Sequence, residues 1–302
     1  MEFNQIETFL SVVKHKNFSK AGKELFLTQP TVSNNIQSLE KELNTTLLDR
    51  KSKTITLTDS GESFYKYAVE LINTRDKAKY ALVKKSEKIE GEIEISASSI
   101  PEQYILPYII KDFTEKYPKV TFRITHKNSK DVVEDILKGK SNFGIVGAKY
   151  SSELLEYIDF YQDELVLAVS SMESYPQSSD RSLDIDVLFS KNLIFRKRGS
   201  GTRLLIKKCL SGKDIELDDL NIKYLIDSNE MIKKMIELNL GISLISKIAI
   251  KNEADLGLIK YYKIKDLDFK RNFYFVYHKH RTLSPVVESF KNFLKDWPGI
   301  EI

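Results

Sequence analysis

Residues 27–43 read LTQPTVSNNIQSLEKEL. Val32, Ile36, Leu39 and Leu43 recur in steps of four, three and four, which lines them along one side of an α-helix. Pro30, Ser33, Asn34, Gln37 and Lys41 follow the same helical steps on another side, and they are mostly short and polar. A merely solvated face would carry more Glu and Lys. Short donors and acceptors on an unobstructed helix suit hydrogen bonding to the edges of bases in a DNA major groove. Between Lys14 and Lys53 stand eight basic residues (Lys14, Lys16, Lys20, Lys23, Lys41, Arg50, Lys51 and Lys53) against Glu24, Glu40, Glu42 and Asp49. That local excess equals the net charge of +4 of the whole chain, so the remainder balances. One basic patch on a near-neutral chain predicts one polyanion-binding region.

A second group of residues suits a different ligand. SASSIPE offers Ser98, Ser99 and the Ile100 amide; HKNSKD offers Asn128 and Ser129; RKRGSGTR offers Ser200, Gly201 and Thr202 among Arg196, Lys197, Arg198 and Arg203. Hydroxyls and helix-start amides near cations favour a small anion. Taken singly, each loop also reads as an ordinary helix cap, and GSGT lacks the lysine and spacing of a phosphate-binding P-loop.

The elements around these residues can be read from periodicity. A helix over Phe3–His15 turns Ile6, Phe9, Leu10 and Val13 inward. Ser19 is placed as the cap of a short second helix burying Ala21 and Leu25, and Thr28 caps the polar-faced third helix with Pro30 in its first turn. Helix, short helix, tight turn and polar-faced helix make a helix-turn-helix. LLDRKSKTITLT then alternates through Thr54, Ile55, Thr56 and Leu57, predicting a two-stranded wing tipped by Arg50, Lys51 and Lys53. Lys and Arg on such a wing neutralise phosphates and fix the register.

From Thr58 to about Glu90 one long helix is expected, with Asp59 and Glu62 as a capping box. Phe64, Ala68, Leu71, Ala78, Leu82 and Ile89 lie near a seven-residue repeat, interrupted at Arg75 and Lys85. A stripe of that length must cover itself, with a second copy or with its own chain. Beyond Gly91, strand and helix patterns alternate in two series, predicting two α/β subdomains. Ligands of such sheets bind at the carboxyl ends of the strands.

The stretch SKAGKELFLTQPTVSNNIQSLEKELNTTLLDRKSKTITLTDSGE resembles the DNA-binding domain of LysR-type transcriptional regulators. Gln-Pro-x-Val-Ser-x-x-Ile-x-x-Leu-Glu runs from Gln29 to Glu40, and Leu-Thr-x-x-Gly closes at Leu57, Thr58 and Gly61. Gly22, Thr28 and Asp49 depart from the residues common there; Gly22 is expected to loosen the second helix by about 1 kcal/mol relative to alanine.

The resemblance implies that Gln29, Pro30, Thr31, Ser33, Asn34 and Gln37 face the groove and that Arg50 meets backbone phosphate. It implies three segments: a winged helix-turn-helix over 1–58, a linker and dimerisation helix over 59–90, and an effector-binding domain over 91–302. That last domain has the periplasmic-binding-protein architecture, with subdomain I at about 91–163 and 268–302 and subdomain II at about 164–267. Strands near 163–169 and 268–278 would cross between the subdomains, and Gly147 would permit close approach of the effector. The partners it implies are double-stranded DNA, a small-molecule effector, further copies in a homodimer or homotetramer, and RNA polymerase. The Gly-Ser-Gly-Thr-Arg loop resembles members governing sulfur or carbon assimilation, which points to sulfite, sulfate-like, phosphorylated or carboxylated effectors.

A competing reading is a small-molecule binding protein or enzyme with a vestigial helical domain. No nucleophile, base and orienter come together in the pattern, so no catalytic residue, metal ligand or cofactor is expected. His278 and His280 alone could share a strand face. One cysteine, Cys209, excludes an intrachain disulfide. The N-terminus lacks the pattern of a signal peptide and no run is apolar enough to span a membrane, so the expected location is the cytoplasm.

Overall fold

The computed structural model describes residues 1–50, 55–83, 89–175 and 181–300, in two compact units. The first unit contains Met1–Lys88 with the short segments Leu137–Asn142 and His278–Pro285. The second contains Ile89–Ile136, Phe143–Tyr277 and Val286–Ile302. Among the described residues no helix is long and apolar enough to cross a membrane.

The first unit holds α1 (Phe3–His15), α2 (Phe18–Leu25), α3 (Gln29–Glu42), a ladder of β1 (Leu48–Asp49) and β2 (Thr56–Leu57), and α4 (Asp59–Val83). Ile6, Phe9 and Val12 of α1, Val32, Ile36 and Leu39 of α3, and Leu47, Leu48 and Ala68 share one core. Leu10, Val13 and Leu43 are only half-buried around it, Leu25 is half-buried outside it, and Val12 fills an inward position that periodicity assigned to Leu10 and Val13. Thr8 and Ser11 are buried because they have partners: Asn35 Nδ2 donates to Thr8 Oγ1 at 3.0 Å, and the Ser11 hydroxyl donates to Glu24.

Two caps differ from expectation. Asn17, not Ser19, caps α2, its Oδ1 accepting from Lys20 N at 2.9 Å. Thr58, not an Asp59–Glu62 box, caps α4, its Oγ1 accepting from Gly61 N at 3.0 Å; Asp59 and Glu62 lie in the first turn, where the helix dipole favours acids. The glycines at these turns are steric requirements. A Cβ on Gly22 would lie 2.6 Å from the Leu27 carbonyl oxygen, so alanine there would clash rather than tighten the helix. A Cβ on Gly61 would collide with the Leu47 carbonyl, which explains why the Leu-Thr-x-x-Gly segment ends on glycine.

The apolar stripe of α4 is spent early on its own unit. Phe64, Ala68, Leu71 and Ile72 pack into the core around α1, and Phe64 lies 5.3 Å from Phe9 ring to ring. Arg75 closes this stretch by donating to Glu7 at 2.7 Å and lying over Phe3. Ala78 is exposed. Lys85 and the side chain of Leu82 lie outside the described residues. The boundary expected after residue 58 is therefore not a boundary of compactness. Tyr65 further donates to the Lys138 carbonyl at 2.8 Å, and Thr282 to that of Asn73 at 3.2 Å, within the same unit.

The second unit contains β3 (Gly91–Ala97), α5 (Leu106–Lys116), β4 (Val120–His126), α6 (Ser129–Leu137), β5 (Phe143–Val146), β6 (Leu155–Ser170), β7 (Ser182–Leu183), α7 (Val187–Ser190), β8 (Leu193–Arg196) and α8 (Gly201–Ser211). It continues with β9 (Ile222–Ile226), α9 (Asn229–Glu237), β10 (Ser243–Ser246), α10 (Lys251–Asp255), β11 (Ile259–Ile264), β12 (Lys270–His278) and α11 (Pro285–Lys295). One sheet runs β4-β3-β5-β12-β6-β11-β7, with β10 also pairing β6. β3 pairs β4 and β5 in parallel, whereas β12 joins β5 antiparallel. β8 and β9 form a separate parallel pair.

The lobe of β3, β4 and β5 buries Phe113, Phe290 and Ile136; the lobe of β8 and β10 is cored by Phe195, Ile206 and Leu244. β6 belongs to both lobes, beside β12 in the first and pairing β10 and β11 from Leu165 to Ser170 in the second, whereas β12 lies between β5 and β6. Between β3 and α5 the chain makes a π-helical turn at Pro101–Ile105, a conformation that periodicity did not anticipate.

Candidate functional site

Each unit carries one group of predicted residues. On α3, Thr28 Oγ1 accepts from Thr31 N and Pro30 lies in the first turn, as expected. Gln29, Pro30, Thr31, Asn34 and Gln37 are exposed, and Ser33 is half-buried. Val32, Ile36 and Leu39 beneath them are fully buried, which fixes the rotation of α3 about its axis. The acids of this helix, Glu40 and Glu42, fall in its last turn, away from this face. Arg50 is tied back: it donates to Glu40 at 3.1 Å and lies over Phe18. Glu40 also accepts the amides of Leu47 and Leu48, so one carboxylate anchors the start of the wing. Lys51, Lys53 and Thr54 lie outside the described residues.

In the second unit, loops at the carboxyl ends of β3, β4, β5 and β8 enclose a cleft of about 280 Å³ including its open mouth. Its lining contains every residue predicted for the small ligand: Ser98, Ser99, Ile100, Asn128, Ser129, Gly147, Ser200, Gly201 and Thr202. Pro101, Arg196, Arg271 and Phe273 complete it. Gly147 gives room to protein rather than to open space, since a Cβ there would lie 3.1 Å from the Phe273 ring. Asn128 acts as the cap of α6: its Oδ1 accepts from Asp131 N at 2.9 Å and its Nδ2 donates to the Asp131 carboxylate at 2.7 Å.

Two arginines dominate the charge. The Arg196 guanidinium, only 5% exposed, donates to Asn229 and, at 3.2 Å, to Ser99 Oγ on the facing wall. Burial lowers its pKa from the usual arginine value, an effect opposed by Asp227, whose largely exposed carboxylate lies 3.7 Å away. Arginine stays cationic regardless. Arg271 donates through Nε to the buried Asp163 at 2.8 Å and through Nη1 to Thr202 Oγ1 at 3.1 Å. Asp163 thus offsets one of the two charges. The RKRGSGTR pattern alone leaves the side-chain direction of Arg196 open. The signal was its place in LIFR, whose four positions are all buried.

Beyond the lining residues, a third polar group joins the two lobes. Tyr104, in the π-helical turn, donates to Glu230 at the start of α9, and Glu230 also pairs with the buried Lys233 at 3.0 Å. Elsewhere, the Cys209 thiol donates to the Asp268 carbonyl at 3.3 Å, and burial raises its pKa. His278 and His280 are adjacent, but the described residues contain no cluster of metal-ligating side chains.

Comparison with known proteins places both regions. Residues 3–62 match the family model of the bacterial regulatory helix-turn-helix protein, lysR family, and residues 86–299 match that of the LysR substrate binding domain. An uncharacterized HTH-type transcriptional regulator of Methanocaldococcus jannaschii is 32% identical over 293 residues, covering 97% of this chain and 98% of the relative. The HTH-type transcriptional regulator CysL of Bacillus subtilis is 27% identical, covering 97% of this chain and 94% of its own. A full-length OxyR variant from Pseudomonas aeruginosa has the same fold, with a TM-score of 0.79 at 15% identity and 98% of each chain covered. The polar-faced α3 and the cleft thus fall in the two regions that these models describe, and the chain belongs to the LysR family of DNA-binding transcriptional regulators with an effector domain.

Proposed function

We propose that the exposed face of α3 selects a DNA sequence and that a small anion in the cleft controls the outcome. The DNA assignment is carried by one observation: Gln29, Thr31, Asn34 and Gln37 are exposed on a helix whose opposite side is locked by three fully buried apolar residues. Dimeric presentation follows from DNA symmetry, since two such helices reading half-sites a helical turn or a multiple of one apart need two copies. A homotetramer and contact with RNA polymerase extend this reading by family resemblance. The anion assignment is supported by hydroxyls, helix-start amides and an arginine meeting in one cleft. An effector acts only through different affinities for two states of the assembly.

A gel shift with the DNA upstream of the protein's own gene tests the first part. A specific complex is expected at moderate salt; none forms if the chain is a small-molecule binder with an idle helical domain. Gln37→Ala should weaken the specific complex by about 1–3 kcal/mol and leave non-specific binding nearly intact. If Gln37→Ala unfolds the unit instead, the assignment of faces is wrong. Thr202→Val should abolish the response to the anion while DNA binding persists. It also leaves Arg271 Nη1 short of a partner, so its melting temperature must be recorded alongside.

A further inference from the structure

Three hydroxyls of the cleft each accept a hydrogen bond from an N–H of the chain. Ser99 Oγ accepts from Arg196 Nη2 at 3.2 Å, Ser129 Oγ from Gly147 N at 3.3 Å, and Thr202 Oγ1 from Arg271 Nη1 at 3.1 Å. A hydroxyl that accepts an N–H from its own chain has its hydrogen left to donate. The carbonyls of Ser98, Asn128 and Ser200 are occupied by the amides of Glu102, Val132 and Leu204 as their helices begin. Asn128 Oδ1 is occupied by its capping bond.

Carboxylates are close but committed, and none is among the lining residues. Asp163 accepts from Ser246 through Oδ1 and from Arg271 through Oδ2. Asp131 accepts from Asn128, and Asp227 is largely exposed. Arg196, by contrast, lines the cleft with a buried Nε that has no hydrogen-bond partner among the described residues. A buried N–H left unpaired costs free energy that a bound acceptor would recover.

We propose that the cleft selects small tetrahedral oxyanions that carry no proton at neutral pH, with the Arg196 guanidinium as their counter-charge, and discriminates against hydrogen-bearing ones such as hydrogen phosphate. The inference rests on the anion reading above and narrows it to a ligand class. A proton on the ligand needs an acceptor. Supplying one here means turning a hydroxyl inward, which forfeits the bond it would have donated. A ligand without that proton needs no such acceptor and can take the hydrogen of each of these hydroxyls. Sulfate meets the requirement throughout the neutral range. A phosphomonoester meets it once its second ionisation, near pH 6, is complete. Inorganic phosphate retains a proton in both of its neutral-range forms.

Calorimetric titration of the full chain with sodium sulfate, sodium phosphate and methyl phosphate, at matched ionic strength, is the test. At about pH 7, sulfate should bind at least about tenfold more tightly than inorganic phosphate, a difference of about 1.4 kcal/mol. Sulfate affinity should stay level from about pH 6 to about pH 8, while methyl phosphate should gain affinity as it ionises. Arg196→Lys should reduce binding of both proton-free ligands by about tenfold or more, because a single ammonium cannot replace the guanidinium fork. Inorganic phosphate binding as well as sulfate overturns the ligand class but leaves the anion reading intact. Full affinity in Arg196→Lys removes the counter-charge assignment. If none of the three salts binds and none alters the gel shift, the class and the anion reading fall together.

Discussion

Asp163→Ala is expected to destabilise the second unit by about 3–5 kcal/mol, measured by urea unfolding. The Arg271 and Asp163 side chains are 6% and 2% exposed, with their charged atoms 2.8 Å apart. Removing the carboxylate leaves a buried guanidinium without compensation, close enough to Arg196 for the two charges to repel. It also deprives the buried Ser246 hydroxyl of its acceptor, held at 2.6 Å. Breaking one partner of a buried pair costs more than replacing both. Asp163→Ala combined with Arg271→Met should therefore recover a substantial part of the loss. A double variant no more stable than Asp163→Ala would show that the uncompensated charge is not the cause. Asp163 touches no predicted ligand atom, so its effect on anion binding should follow from stability and from Arg271.

Ile36→Ala should cost about 2–5 kcal/mol in the first unit, read as a lower unfolding midpoint at unchanged denaturant sensitivity. Ile36 is fully buried among Phe9, Val12 and Leu39, where the atoms removed leave a cavity that two crossing helices cannot close. Gln37 is the adjacent residue and is exposed, so Gln37→Ala should leave stability within about 0.5 kcal/mol. The pair separates two roles on one helix: Ile36→Ala loses specific and non-specific DNA binding together as the unit unfolds, and Gln37→Ala loses only the specific part. Equal destabilisation by both would mean that α3 is rotated from the orientation described.

Much of this was legible in the sequence, for identifiable reasons. The rotation of α3 could be read because Val32, Ile36 and Leu39 recur at helical spacing and all three are buried. The nine cleft residues could be read because serine, threonine, glycine and asparagine cluster where strand patterns give way to helices. Caps were less legible. Asn17 and Ser19 both suit a helix start, and only the bond to Lys20 N decides between them. The strand IKYYKI leaves little alternation in the sequence because its interior positions are exposed or half-exposed, with buried residues only at Ile259 and Ile264. The first half of β6, LEYIDFYQD, likewise has only Leu155 and Asp163 buried, so its apolar residues do not alternate with buried positions. The π-helical turn at Pro101–Ile105 leaves no periodic trace in five residues. Arg271 stands among exposed and half-buried neighbours, and nothing local reveals that it finds Asp163, 108 residues away in sequence.

β6 runs for sixteen residues and is shared by both lobes, with β12 beside it. Where β6 passes from one lobe to the other, Leu165 N bonds to the Phe269 carbonyl at 3.1 Å, just before β12 begins, so the joint is a hydrogen-bonded pair of segments. A loop hinge swings freely because its backbone torsions are unopposed, but two hydrogen-bonded strands must twist together. Such a joint behaves as a torsion spring: its travel is short, it stores elastic energy as it turns, and it returns when released. An effector bound between the lobes would then act through a small, stiff rotation held against that spring, with the stored energy set against the free energy of binding.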